Sequence, residues 1–190
     1  MEKFTKITSQ ILPLPIKDID TDMIIPANFM TSTSKTGYGP YLFQRLKEAS
    51  ADFPANNPQY QGAQIMVTDH NFGCGSSREH AVWAILDTGF RVVIAKSFAD
   101  IFFNNSAKNG LLLLTLPENI IDQMIQKAQN TTLSLTLDLE KQEITLPESE
   151  IIKFEYDAFR KHCLLNGMDD IDYILSYKED IDNFRATQNI

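Results

Sequence analysis

Short apolar runs and segments with helical hydrophobic spacing alternate through the middle of the chain. Three apolar runs have the length of buried strands: residues 63–67, 92–95 and 111–116. Each precedes a segment whose apolar residues recur at helical spacing: residues 78–87, 97–109 and 117–127. Strands that alternate with helices are typical of a mostly parallel sheet covered by helices, so the pattern predicts an α/β fold.

The hydrophobic period changes from helical to strict alternation after this region. Six apolar residues alternate with polar ones on either side of a turn: Leu133, Leu135, Leu137, Leu139, Ile144 and Leu146. This period predicts an antiparallel β-hairpin with one exposed face. Two further helices are predicted from Asp157 onward, separated at residues 166–167, and residues 178–190 are predicted to form a frayed tail. The length favours a single domain over residues 1–190.

The residues before the first apolar run have no clear period. Residues 28–57 are rich in Thr, Ser, Gly, Asn and Pro, which favour turns, and we expect a mobile loop or lid there. Just before it lie three carboxylates, Asp18, Asp20 and Asp22. Nothing nearby completes an oxygen cage for a metal ion, so we expect hydrogen-bonding roles for these side chains. Asp22 is expected to be partly buried with a partner, because a buried carboxylate needs one.

The charge balance and the cysteines narrow the classes of function. With 17 basic and 25 acidic residues, the formal charge of −8 argues against a nucleic-acid-binding surface, since phosphate contacts need clustered Lys and Arg. Cys74 and Cys163 lie far apart and lack metal-ligand spacing, so we expect no metal site in this chain. No stretch has the pattern of a signal peptide or a membrane span, which predicts a cytoplasmic protein without a membrane partner.

The glycine-rich turn at residues 71–77 carries the clearest candidate chemistry. Its two glycines let backbone amides approach a ligand closely, and the helix that follows begins with unpaired N–H groups. Arg78 adds a planar bidentate donor for carboxylates, so the segment predicts an anion-binding site. A structural interpretation also fits, because Ser76 and Glu79 have the spacing of a capping box. Both interpretations stay open at this point.

Cys74, between the two glycines, also has two interpretations. In the first interpretation, the nearby helix N-terminus lowers the pKa of the Cys74 thiol, which would then act as a nucleophile with His70 or His80 as its base. The favoured alternative is a small buried thiol that fills space. Cys163, on an apolar helix face, is expected to belong to the core.

Five segments resemble, in order along the chain, the small subunits of 3-isopropylmalate dehydratases, a branch of the aconitase family. They are residues 20–26, 36–39, 71–81, 96–102 and 157–163. The resemblance implies a three-layer β/β/α swivelling domain with a mostly parallel sheet, a β-hairpin and C-terminal helices. It also implies a hydro-lyase reaction of leucine biosynthesis, in which 2-isopropylmalate and 3-isopropylmalate interconvert through isopropylmaleate.

The same resemblance implies a division of labour between two chains. A large subunit would hold a 4Fe-4S cluster whose open iron acts as a Lewis acid on the substrate. This chain would bind no metal and would be active only in a heterodimer or a higher assembly, with a small dicarboxylate as the substrate.

Roles for individual residues follow from the matched motifs. Ser76 resembles the catalytic base, which takes the proton from the carbon next to a carboxylate. Ser77 and Arg78 resemble the residues that bind the substrate carboxylate. Three further residues are expected to support the site, the last without an assigned role: Asp22, Gly75 and Lys35.

Substrate choice and class of function leave alternatives. Phe29 and Met30 are expected to line a pocket for the isopropyl group, but the small subunit of a homoaconitase or of a methylmalate/citraconate-type hydratase remains an alternative. From other classes, the chain would be a stand-alone anion-binding module that uses the turn for phosphate, or a thiol hydrolase that uses Cys74. Neither of these explains the motifs outside the turn.

Overall fold

The computed structural model describes residues 1–30 and 34–187, which form a mixed α/β fold. Within these residues the strands are β1 (Lys6–Leu14), β2 (Ile65–Thr68), β3 (Val92–Ala95), β4 (Leu112–Thr115), β5 (Ser134–Asp138), β6 (Glu143–Thr145) and β7 (Ile151–Lys153). The α-helices are α1 (Thr21–Ile24), α2 (Gln44–Ala49), α3 (Glu79–Asp87), α4 (Asp100–Asn109), α5 (Glu118–Asn130), α6 (Ala158–Asn166), α7 (Asp170–Ser176) and α8 (Lys178–Thr187). The strands form one sheet in the order β4-β3-β2-β1-β5-β6-β7.

The half of the sheet formed by β1 to β4 is parallel, as the alternation of strands and helices predicted. Every residue of β2 and β3 is buried, because helices cover both faces. On one face Met66 and Val93 share a hydrophobic cluster with residues of α3 and α4. On the other face Val67 and Ile94 share a second cluster with residues of α5. The strands therefore read as continuous apolar runs in the sequence.

The other half of the sheet is antiparallel and includes the predicted hairpin. β5 pairs with β1 and with β6, and β6 pairs with β7. Leu135 and Leu137 are buried in the same cluster as Met124 of α5, so the sheet curls around this helix. The hairpin, the parallel strands and the C-terminal helices together confirm the predicted α/β fold class.

Helix α4 begins at Asp100, although the sequence predicted a start at Ser97. The difference arises because Ser97 binds the neighbouring turn instead of capping a helix. Its hydroxyl accepts a hydrogen bond from Asn71 N at 2.8 Å, and its carbonyl accepts one from Phe72 N at 3.1 Å. Ser97 thereby connects the end of β3 to the glycine-rich turn that follows β2.

Two segments that the sequence predicted to be irregular contain regular secondary structure. Within residues 28–57, α2 and 3-10 turns at Gly39–Tyr41 and Pro54–Asn56 lie among the described residues, and residues 31–33 lie outside them. Residues 178–187 form α8, whose side chains are all exposed, so their helix gains no burial within this chain. The last three residues of the predicted tail lie outside the described residues.

Of the helices in residues 1–30 and 34–187, none combines the length and apolar character that a membrane crossing requires.

Candidate active site

The glycine-rich turn lies between two other segments that the sequence analysis singled out. On one side Gly73 N donates to Ile19 O at 2.8 Å, and Thr21 N donates to Cys74 O at 2.9 Å. On the other side Ala99 N donates to Phe72 O at 3.1 Å. The three segments thus continue the parallel pairing beyond the ends of the strands. They bring together motifs that are far apart in the sequence, since Ile19 and Ala99 are separated by 80 positions.

Two glycines give this turn its shape. Gly73 and Gly75 have φ angles of +78° and +82°, which side chains rarely allow. A Cβ on Gly73 would lie 2.2 Å from Cγ of Phe102, a buried residue of α4. The turn therefore packs directly against α4, and only glycine leaves room for this approach.

A cavity of about 240 Å³ opens beside the turn. It is lined by Thr21, Gly73, Gly75, Ser76, Ser77, Arg78, Ala99, Asp100, Ile101 and Phe102. The structure thus brings the predicted base, both predicted carboxylate-binding residues and the predicted supporting Gly75 to one place. Ile101 and Phe102 also line the cavity, although no pattern in the sequence predicted this; both belong to the segment 96–102 that carries part of the resemblance.

Ser76 is exposed in this cavity, and its backbone is held in place. Its carbonyl accepts a hydrogen bond from Oγ1 of Thr21 at 2.8 Å. Its hydroxyl forms no hydrogen bond with any residue of 1–30 or 34–187. The hydroxyl is therefore available to a ligand, while the main chain that carries it is fixed.

The predicted capping box of Ser76 and Glu79 is wrong. α3 begins at Glu79, its N-cap is Arg78, and no side chain caps it. Ser76 instead follows the left-handed Gly75, and its carbonyl accepts a hydrogen bond from Thr21, so the helix begins three residues later at Glu79. Glu79 instead accepts a hydrogen bond from Nδ2 of Asn109 at 2.8 Å.

Asp22 holds the guanidinium group of Arg78. Nη1 of Arg78 donates to Oδ1 of Asp22 at 2.9 Å, and the two side chains are 19% and 31% exposed. Asp22 also accepts hydrogen bonds from Arg45 and from Ala27 N. The prediction that Asp22 is partly buried with a partner is confirmed, and its carboxylate fixes the position of Arg78.

The two neighbouring carboxylates have the hydrogen-bonding roles that the sequence predicted. Asp20 caps α1, since its Oδ1 accepts a hydrogen bond from Met23 N at 2.7 Å. Asp18 accepts one from Nδ2 of Asn71 at 2.7 Å. Both interactions stabilise the segment that lies against the turn.

Three residues expected near the substrate lie outside the cavity lining. Phe29 stacks on Tyr41, with ring centroids 4.2 Å apart, and Met30 follows it without lining the cavity. Lys35 donates to Oδ1 of Asn109 at 3.3 Å, and its Nζ lies 5.9 Å from the ring centroid of Trp83. The structure does not join these residues to Ser76 by any contact among the described residues.

Cys74 is partly buried, and its surroundings oppose a reactive thiolate. Burial raises the pKa of the Cys74 thiol, and the negative charges of Asp20 and Asp18 raise it further. A nucleophilic thiol needs the opposite shift, so the thiol-hydrolase alternative loses its basis. Cys163 is 6% exposed on α6, which confirms its predicted place in the core.

The reactivity of Cys74 provides a test of this raised pKa. In a chain with Cys163→Ala, Cys74 is expected to react with iodoacetamide more slowly than the thiol of an unstructured peptide, because less thiolate is present at mildly alkaline pH. The rate of alkylation as a function of pH gives the pKa directly. A midpoint below that of the peptide thiol would contradict the interpretation.

A cluster of ion pairs fixes the end of β3 on the α5 face of the sheet. Nζ of Lys96 lies 3.2 Å from Oδ1 of Asp69 and 2.6 Å from Oδ1 of Asp122, and the lysine side chain is 7% exposed. The hydrogen bond to Asp122 is the largest cause of the raised pKa of Lys96. Lys96 is the first residue of segment 96–102, one of the five segments that resemble the family, and no pattern in the sequence identified its partners. The cluster holds the strand from which that segment leaves the sheet.

Among residues 1–30 and 34–187, no set of side chains fits an iron–sulfur cluster. Cys74 lies in the turn and Cys163 lies in α6, whereas such a cluster needs several thiolates on one site. In the part of the chain that the structure describes, no group of three or more His, Cys, Asp or Glu side chains is placed to hold a metal ion.

Comparisons with known proteins identify the group to which this arrangement belongs. Residues 1–119 match the family model of the aconitase C-terminal domain. The small subunit of 3-isopropylmalate dehydratase from Francisella tularensis subsp. novicida is 50% identical over 188 residues, which cover 99% of each chain. The corresponding subunit from Ruegeria pomeroyi is 50% identical over 192 residues, which cover 98% of this chain and 96% of the relative.

A solved structure is similar over nearly the same length. The crystal structure of a 3-isopropylmalate dehydratase from Methanocaldococcus jannaschii has a TM-score of 0.70 and 28% sequence identity, with 94% of this chain and 98% of that chain covered. The turn and its cavity lie within the segment that the family model matches. This chain therefore belongs to the aconitase family, in the branch formed by the small subunits of 3-isopropylmalate dehydratases.

Proposed function

We propose that this chain is the small subunit of a 3-isopropylmalate dehydratase and supplies the base and the carboxylate-binding residues for the interconversion of 2-isopropylmalate and 3-isopropylmalate. The observation that carries the proposal is the cavity that Ser76 and Arg78 both line: the Ser76 hydroxyl forms no hydrogen bond with any described residue, and Asp22 holds Arg78. The 50% identity to named small subunits over nearly the full chain supports the same reaction.

Ser76 would remove the proton from the carbon next to a substrate carboxylate. A serine hydroxyl is a weak base in water, so the site has to stabilise its alkoxide. The positive charge of Arg78 and the N-terminus of α3, which begins at Glu79, both favour the charged form. Because the backbone of Ser76 is already fixed by Thr21, no reorganisation is needed when charge develops.

Arg78 and Ser77 would bind the carboxylate next to which the proton is lost. One guanidinium nitrogen of Arg78 donates to Asp22, so its remaining N–H groups are directed by that bond. A planar guanidinium fixed in this way binds a carboxylate at two points. Proton removal builds charge on the carboxylate, so these donors stabilise the transition state more than the ground state.

The iron–sulfur cluster of this reaction would belong to the partner. The two separate thiols of this chain do not fit such a cluster, which supports a heterodimer or higher assembly in which the large subunit holds it. This chain would then act on the substrate only when the large subunit covers the cavity. We place the assembly in the cytoplasm, where a small polar dicarboxylate is available.

Reconstitution tests the proposal. The purified chain is mixed with the cluster-loaded large subunit of the same organism, and isopropylmaleate is followed by its absorbance. Activity is expected from the mixture and not from either chain alone. Turnover of homocitrate or methylmalate in place of isopropylmalate would favour the related hydratases, and phosphate binding by the chain alone, measured by calorimetry, would favour the anion-binding module.

Asp22→Ala tests how Arg78 is positioned. Without its carboxylate the guanidinium loses its anchor, so KM for isopropylmalate is expected to rise by about tenfold or more, which corresponds to the loss of one charge-assisted interaction. Steady-state kinetics of the reconstituted enzyme measure the change. Asp18→Ala is the matched control, since that carboxylate binds Asn71 rather than Arg78. Equal KM values for the two variants would contradict the role of Asp22.

A further inference from the structure

The C-terminal helices carry an exposed apolar stripe that the proposed catalytic roles do not use. Tyr177 connects the two helices: its N donates to Ile174 O at 3.1 Å, and its O accepts a hydrogen bond from Ile181 N at 2.9 Å. Its φ of −100° and ψ of 16° end α7 there, so α8 starts as a separate helix. Four exposed apolar residues, which we call the stripe, belong to this segment: Ile174 in α7, Tyr177 at the junction, and Ile181 and Phe184 in α8. They are 58%, 45%, 37% and 65% exposed.

The stripe is attached to the rest of the chain at one end. The ring of Tyr173 contacts that of Phe159 on α6, with centroids 4.7 Å apart and planes at 87°. Nζ of Lys108 at the end of α4 lies 3.3 Å from Oδ2 of Asp170 at the start of α7. These contacts fix α7, whereas neither α7 nor α8 has a buried residue.

An amphipathic helix whose apolar residues are all exposed indicates a contact with another molecule. Helices of about ten residues are marginal in water, and most of their stability in proteins comes from packing of the apolar face. α8 has ten residues, and its apolar residues Ile181 and Phe184 face solvent in the described structure. Exposed apolar residues on short amphipathic helices are the feature that groove-binding helices present to a partner.

The position of the stripe points to a partner that also covers the active-site cavity. α4 begins at that cavity with Asp100 and Ile101, and its last turn contacts α7 through Lys108. Ten helical residues span about 15 Å, so one surface extends from the cavity to the stripe. Ile101, at the edge of the cavity, is itself 54% exposed.

Charge disfavours a second copy of this chain as the occupant. Residues 170–187 carry five carboxylates, from Asp170, Asp172, Glu179, Asp180 and Asp182, against the two cations of Lys178 and Arg185. The whole chain has a formal charge of −8. Two copies that met through these helices would bring like charges together, whereas a partner with Lys and Arg around an apolar groove would be attracted.

We infer that the stripe of α7 and α8 docks into an apolar, cation-rimmed groove on the large subunit and holds the two chains together. The inference rests on the proposed function, because that function supplies the partner. It assigns to these helices an anchoring role that is separate from the chemistry at Ser76.

Substitution of Ile174 tests the docking surface. In Ile174→Asp a carboxylate replaces an apolar contact, and the Kd for the large subunit is expected to rise by about tenfold or more. Ile151→Asp is the matched control, since Ile151 is 55% exposed but lies on β7 at the far edge of the sheet. Ile174→Ala keeps helix propensity while it removes most of the side chain, and circular dichroism checks that α7 remains folded.

Light scattering and activity titrations separate the outcomes. The expected result is weaker assembly for Ile174→Asp, a Kd that rises with salt, and normal kcat once the large subunit is saturating, because Ser76 is untouched. A Kd equal to that of Ile151→Asp would overturn the inference, as would a wild-type small subunit that is dimeric and becomes monomeric in Ile174→Asp. A wild-type chain that neither binds nor activates the large subunit would instead refute the proposed function.

Discussion

Reconstituted enzyme with Ser76→Ala is expected to lose activity by about 10²–10⁴-fold in kcat, with little change in KM. The loss follows because alanine removes the hydroxyl that would take the substrate proton, while Arg78 and the backbone of the turn remain. Ser76 is exposed, and the bond from Thr21 goes to its carbonyl, so the fold does not depend on its side chain.

Ser77→Ala is the matched control for this prediction. Ser77 is also exposed and lines the same cavity, but its proposed role is to bind the carboxylate. Its loss is expected to raise KM and to lower kcat by less than Ser76→Ala does. Initial rates with saturating large subunit separate the two effects. If Ser76→Ala retained full kcat, the base assignment would be wrong even though the chain would remain a member of this family.

The parallel half of the fold follows from hydrophobic periodicity because both faces of its strands are buried. β2, β3 and β4 each appear as short apolar runs, and helices follow them in the sequence. β1 carries no such signal, since its first five residues are exposed or half-buried and only its last four are buried. Its position in the sheet depends on two long-range pairings. The pairing with β2 spans more than 50 residues, as between Ile11 and Ile65, and the pairing with β5 spans more than 120, as between Lys6 and Asp138. Local sequence patterns do not encode such pairings.

Motif resemblance supplied residues that the fold brings together, whereas local spacing alone gave a helix cap that the structure does not contain. Ser76, Ser77 and Arg78 were transferred as a unit and do line one cavity. The capping box failed because spacing of three residues takes no account of the left-handed Gly75 between strand and helix. The sequence indicated that Asp22 needs a partner, but the partner lies 56 residues away and only the fold identifies it as Arg78.

The residues that line the cavity also could not be identified from their positions in the sequence. Phe29 and Met30 follow Asp22 closely in the sequence, but the ring of Phe29 stacks on Tyr41 instead of lining the cavity. Ile101 and Phe102 reach the cavity from α4, a helix that follows a different strand. Crossover connections thus decide which apolar residues meet the turn, and these connections become visible only in the folded chain.

Gly73→Ala is expected to lower the free energy of unfolding by about 3 kcal/mol or more. A left-handed φ of +78° costs a residue with Cβ about 1–2 kcal/mol, and forced overpacking adds about 1–3 kcal/mol. Here the new Cβ would lie 2.2 Å from Cγ and 2.6 Å from Cβ of Phe102. Phe102 is 2% exposed and packs edge-on against Phe72, so a shift of its ring would disturb this contact.

Gly62→Ala isolates the clash from the backbone strain. Gly62 has a φ of +80°, almost the same as Gly73, but nothing lies within 4 Å of its Cβ position. Urea unfolding is expected to show a loss of about 1 kcal/mol for Gly62→Ala and a clearly larger one for Gly73→Ala. Phe102→Ala in the Gly73→Ala background should destabilise less than the two single changes combined, because it removes the clashing ring. Equal losses at Gly62 and Gly73 would mean that the turn does not depend on its contact with α4, and the rigid support inferred for Ser76 would then lack its basis.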